Sequence, residues 1–242
     1  MNWTVYLTVI GYYLIGTAGI FIINRKKDRQ IRANAWIKLL FAFVFTNVVF
    51  FSIVFNTLIF TLLAVAVTVA GFLELIKLYR NSRYDHPRFF FTSIVIMAAL
   101  SVGFIFFSRM DKGLILFSFL IISIFDGFSQ ISGQLFGRRL LFPKVSPNKT
   151  VAGLIGGTLV ALLSAIVFSY VVPLNPLNAI IPAFVVVLFA FAGDAAKSVY
   201  KRKYNVKDFN KLIPGHGGIL DRFDSLITGG AGVALFYILA NL

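Results

Sequence analysis

Four aspartates and one glycine-rich turn carry most of the chemistry available to this otherwise apolar chain. Asp126 lies in "ISIFDGFSQISGQLFG" and Asp194 ends the run "VVLFAFAGDAAKS", while Asp221 and Asp224 follow "IPGHGG" just ahead of a further apolar run. A carboxylate at or inside the hydrocarbon edge of a bilayer costs several kcal/mol unless it is paired, protonated or bound to a cation. Asp221 and Asp224 are three residues apart, which on a helix sets both on one face. With no cysteine and two histidines, thiolate sites are excluded, and an oxygen-ligand site for a hard cation, Mg²⁺, is the natural expectation. Asp194 and Asp221, from different spans, form the expected ligand pair, with Asp224 and Asp126 as further candidates. Asp224 reads equally well as a helix N-cap or first-turn acid.

Three segments near these acids suit phosphate. Gly217 and Gly218 let backbone N–H groups approach an anion just before a helix N-terminus, and Arg222 follows them. "SVYKRKYNVKDFNK" supplies Lys201, Arg202, Lys203, Lys207 and Lys211, and "SPNKTVAGLIGG" supplies Ser146, Lys149 and Thr150. His216 is either a donor to phosphate or a structural hydrogen-bonder. Neither a P-loop nor a strand-coupled dinucleotide fingerprint is present. Basic loops, glycines and acids at membrane level outline a polyanion site with a divalent cation, open to lipid, as a nucleotide reacting with a lipid phosphate requires.

The elements that must position these residues are membrane helices. Of 242 residues 59% are hydrophobic and 13% charged, roughly half the charge of a soluble domain. Eight apolar segments, about 3–24, 37–55, 57–76, 89–107, 113–136, 151–172, 178–194 and 225–241, are long enough to cross a bilayer. The expected fold is all-α, a polytopic integral membrane protein with a cytoplasmic-facing polar site. It is one domain over 1–242, with N-terminal spans in 1–112 and catalytic spans and loops in 113–242. The first segment is expected to remain as a span rather than be cleaved.

Assigning loops alternately to two sides puts all but Arg109 and Lys112 of the 23 lysines and arginines on one side. That asymmetry predicts basic loops in the cytoplasm and both termini outside. The charge of +14 then reflects topology and anionic lipid, and nucleic acid is not expected as a partner. Asp28, Asp85 and Asp111 read as solvated loop charges, Asp208 as structural, and Glu74 as an i,i+3 partner of Lys77 reaching the interface.

The stretch "SVYKRKYNVKDFNKLIPGHGGILDRFDS" (198–225) resembles the C-terminal signature of the phosphatidate cytidylyltransferases, or CDP-diacylglycerol synthases. The matching positions are Ser198, Lys201, Arg202, Lys207, Asp208, Pro214, Gly215, His216, Gly217, Gly218, Asp221, Arg222 and Asp224. Gly193–Asp194, "SPNKT" with "GLIGG", and Asp126 with Gly133, Phe136 and Gly137 extend the resemblance over roughly residues 120 to 226. Departures are Ala152 and Lys197, where the family usually has Glu, and Gly127–Gln130 in place of a Thr-Gly-Ala-Tyr-like run.

The resemblance implies transfer of a cytidylyl group from CTP to phosphatidate at a bacterial inner membrane. It implies Mg²⁺ with a second cation such as K⁺ beside it, and a homodimer. Asp194 and Asp221 would hold Mg²⁺ with Asp224 near. Lys201, Arg202, Lys207 and Arg222 would hold phosphates, Lys149 and Ser146 would reach the same anions, and His216 is a candidate donor. The alternatives are another CTP-dependent lipid enzyme, such as a polyprenol kinase, and an ion-binding transporter.

Overall fold

The computed structural model describes residues 3–25, 28–172, 174–210 and 217–240. Among the described residues eight α-helices form: α1 (Trp3–Asn24), α2 (Arg29–Phe55), α3 (Thr57–Asn81), α4 (Pro87–Phe107), α5 (Lys112–Phe136), α6 (Val151–Val167), α7 (Ile180–Lys203) and α8 (Leu220–Leu239). All but α6 are long and apolar enough to cross a membrane, and the chain is an all-α integral membrane protein.

Each of the eight apolar segments becomes one helix, but the ends shift. The α7 helix runs on to Lys203, nine residues beyond its apolar run, so Lys197, Lys201 and Arg202 are helical rather than looped. Its last-turn cations, Lys201, Arg202 and Lys203, suit the negative end of the helix. The sixth segment breaks earlier, with α6 ending at Val167 and a single 3₁₀ turn at Ser169–Val171. An unforeseen antiparallel hairpin, β1 (Leu140–Phe142) and β2 (Ser146–Thr150), sits between α5 and α6.

Local chemistry sets the helix ends. Asn56 turns the chain between α2 and α3, accepting from Leu58 N. Asp111 caps α5 through Gly113 N and Leu114 N, a role its reading as a solvated loop charge left out. Thr150 caps α6 through Gly153 N at 3.0 Å.

The core is centred on α5, whose Leu114–Ile122 stretch is wholly buried, and on α8. Small residues allow close approach there: Ser129, Ser132 and Gly133 of α5 meet Gly153, Gly156 and Gly157 of α6, as in membrane helix pairs that lack a hydrophobic drive to associate. A Cβ on Gly193 of α7 would collide with the side chain of Thr228 on α8, so glycine there brings those two helices together.

Candidate active site

The pairing of α7 with α8 is antiparallel and can be read rung by rung. Gly193 faces Thr228, Lys197 faces Asp224, and Lys201 faces Asp221. Positions 193, 197 and 201 recur every four residues, and 221, 224 and 228 every three or four, so each set lies along one helix face.

Lys197 is the hub. Its Nζ lies 3.0 Å from Asp194 Oδ1 and 2.7 Å from Asp224 Oδ2, and its side chain is 12% exposed. The other oxygen of Asp194 is paired with Lys149 of β2, whose ammonium also lies over the Phe191 ring. Asp126 on α5 is within electrostatic reach of Asp194, Asp224 and Lys197, and its carboxylate accepts from Ser225. Asp224 is buried in the second turn of α8 and pairs with Lys197, so it is not the helix N-cap.

Asp221 has a separate set of partners. Oδ1 takes the Lys201 ammonium at 2.6 Å, and Oδ2 accepts from Phe209 N at 2.9 Å and Gly218 N at 3.0 Å. Gly217 has φ +82°, and a Cβ there would lie 2.6 Å from Asp221 Oδ2. The glycine pair therefore wraps the backbone around this carboxylate. Lys201 also lies over the ring of Phe209, which stacks on Tyr200, itself stacked on Phe89. Burial raises the phenol of neighbouring Tyr204 above its ordinary range.

Glu74 is a site residue that the sequence reading misassigned. It is 4% exposed and accepts from Ile219 N and Leu220 N, both at 2.9 Å. It thereby satisfies the N-terminus of α8, where a carboxylate is favoured by the helix dipole. Lys77, its expected partner, instead donates to Asn210 Oδ1. The available signal was that Glu74 is the one acid within the third apolar segment.

Two cavities border the charged cluster. The smaller, about 190 Å³, is lined by Val145, Ser146, Asp194, Lys197, Ser198, Lys201, Arg202, Lys207 and Asp208. It brings together six expected residues: Ser146, Asp194, Ser198, Lys201, Arg202 and Lys207. Arg202 also ties the hairpin to α7, donating to Val145 O and Val206 O. Thr150, Gly217 and Gly218 do not line it, and His216 lies outside the described residues, as do Lys211, Pro214 and Gly215.

The larger cavity, about 630 Å³, opens between α1, α2 and α5. Tyr12, Phe45, Phe119 and Phe168 give it apolar walls; Lys38, Gln130, Gln134, Asp126 and Arg222 give it a polar end. Asp126 is enclosed by helices yet exposed to this space. The two cavities thus meet the same acid cluster, one at Asp194 and the other at Asp126.

The donor set is all oxygen and suits a hard cation. The fit differs by position. The edge of Asp194 facing the smaller cavity, 31% exposed, fits an ion, whereas the gap between Asp194 and Asp224 is filled by the Lys197 ammonium. Among the described residues no three acids or histidines gather as a preformed metal site.

The model of the cytidylyltransferase family matches residues 2–240. A phosphatidate cytidylyltransferase of Staphylococcus haemolyticus is 40% identical over 140 residues, 55% of this chain and 54% of the relative. Proteins of the same name from Staphylococcus epidermidis and Staphylococcus aureus are 40% and 38% identical over 139 residues, with the same shares covered. The chain spans about half the length of the curated relatives it matches. With a family match over nearly its whole length, the chain belongs to the cytidylyltransferase family.

Proposed function

We propose that the chain transfers the cytidylyl group of CTP to phosphatidate, giving CDP-diacylglycerol and pyrophosphate. The observation that carries this reading is the meeting of two unlike cavities at one charged ladder. The cation-lined cavity suits phosphates, and the larger, mostly apolar one suits a lipid with a polar head. Family membership and the names of the relatives support the same reaction.

In this mechanism a phosphate oxygen of the lipid attacks the α-phosphorus of CTP. The bond from that phosphorus to the oxygen bridging the β-phosphate breaks, and pyrophosphate leaves with the electron pair. The lipid phosphate is already ionised near neutral pH, so no protein nucleophile is required. Catalysis rests on positioning and charge neutralisation.

Lys201, Lys207 and Arg202 hold nucleotide phosphates, with Ser146 and Ser198 as hydroxyl donors. Arg222, beside Asp126 at the polar end of the larger cavity, receives the lipid phosphate. Lys149 fixes Asp194 from the β2 side. Asp194 would hold a Mg²⁺ at its cavity edge, whose chemistry is to neutralise phosphate charge. Asp221, expected as the second donor, is taken up by Lys201 and two backbone N–H groups and instead holds Lys201 in place. The basic side of the bundle faces the cytoplasm of a bacterial inner membrane, which is where CTP is found.

The test is product identity. Purified chain in detergent receives CTP labelled at the α-phosphate, Mg²⁺ and phosphatidate. Labelled lipid with pyrophosphate release is expected. Release of labelled CDP, with the label absent from lipid, contradicts cytidylyl transfer and points to a CTP-dependent kinase.

A further inference from the structure

The charged ladder balances its own charge. Its ion-paired members Asp194, Asp221 and Asp224 supply three negative charges, and Lys149, Lys197 and Lys201 three positive ones. Two carboxylates converging at membrane level repel and are costly to desolvate unless a cation lies between them. Here the Lys197 ammonium occupies that place, held by an ion pair to each carboxylate and by a 3.3 Å hydrogen bond to the backbone oxygen of Asp221. It cannot drift away as a free ion would, because its helix is locked to α8 at Gly193 and Thr228. Surplus positive charge lies in the smaller cavity, where Arg202 and Lys207 outnumber Asp208.

We infer that Lys197 is a tethered cation that closes the Asp194–Asp224 gap to metal ions, so that this cluster takes a divalent ion only together with incoming phosphates. A divalent ion added alone would bring two uncompensated positive charges to a region already neutral. One arriving with a polyphosphate brings its own counter-charge to the cavity edge of Asp194. Lys197 is on this account a positioning residue, setting the spacing of two carboxylates and the number of ions they accept. The inference deepens the proposed function and rests on it only in taking the incoming anion to be a nucleotide.

Mn²⁺ titration of the detergent-purified chain, followed by electron paramagnetic resonance without nucleotide, tests it. The wild type is expected to show no Mn²⁺ site that depends on Asp224. Lys197→Met, similar in length and uncharged, leaves the two carboxylates facing each other. It should gain one site at least about tenfold tighter than any in the wild type, together with a Tm that rises on adding Mn²⁺. Adding Asp224→Asn to that variant should abolish both gains.

A wild-type Mn²⁺ site lost in Asp224→Asn overturns the inference, as does a folded Lys197→Met protein without the gain. If Lys197→Met folds only when a divalent ion is supplied, that is the gain in another form. If it folds under neither condition, the wild-type titration decides. A failed cytidylyl-transfer assay alongside the expected titration removes the proposed reaction and leaves the cation assignment standing.

Discussion

Helices α1 and α8 are nearly equal in length, 22 and 20 residues, and both are apolar enough to span a membrane, yet they do opposite work. Only 6% of the most apolar stretch of α1 is buried within the protein, against 61% for α8. The α1 helix presents Leu7, Leu14, Ile15 and Ile22 outward, where lipid is the partner. The α8 helix carries Asp221, Asp224 and Thr228 toward α7, and its glycines at 229, 230 and 232 admit Ile122, Phe107 and Phe189 to close range. Apolarity decides that a helix enters the bilayer. Small and charged residues decide which helix it meets there.

The contrast can be broken most severely at the α7–α8 crossing. Gly193→Val forces side-chain atoms into Thr228 and is expected to cost about 3 kcal/mol by overpacking. It should lower Tm in thermal unfolding and disturb the ladder; an unchanged Tm contradicts the register. Lys207→Ala removes a cavity cation and should raise the apparent KM for CTP about tenfold, the effect of losing one charged contact, with Tm unaltered. Glu74→Gln keeps the shape of the α8 cap but not its charge, and should cost about 1 kcal/mol in stability. Leu14→Ala on the lipid face of α1 should change stability by less than about 0.5 kcal/mol and leave transfer unchanged. A large loss there would mean that α1 packs against more than lipid.

Sequence patterning made some parts of this structure visible and hid others for physical reasons. Twenty-residue apolar runs and basic loops follow from bilayer thickness and topology, so all eight helices were legible. The hairpin was not, because three to five residues such as "LLF" and "SPNKT" become strands only through each other. The extension of α7 was hidden since Lys197 and Lys201 mark the end of hydrocarbon, not the end of helix.

Within the site, residue types and spacing pointed to Ser146, Asp194, Lys201, Arg202 and Lys207, and the family resemblance added Ser198; all six do share one cavity. The pairing of acids was not readable, because helix periodicity fixes which residues share a face but not the register between two helices. Thus Asp194 meets Asp224 across Lys197, while Asp221 binds Lys201 and two backbone N–H groups. Lys197 was visible only as a departure from the family pattern. Its i,i+3 spacing from Asp194 was the clue that it belongs to the same face.

The most direct test of the ladder as the seat of chemistry is transfer of α-phosphate label from CTP to phosphatidate by wild type and Asp221→Asn side by side. Loss of the carboxylate charge uncouples Lys201 from its place in the cavity. Labelled lipid is expected from the wild type and a drop of about a hundredfold or more in Asp221→Asn, with the variant still folded. Equal transfer by a folded Asp221→Asn protein would contradict this expectation.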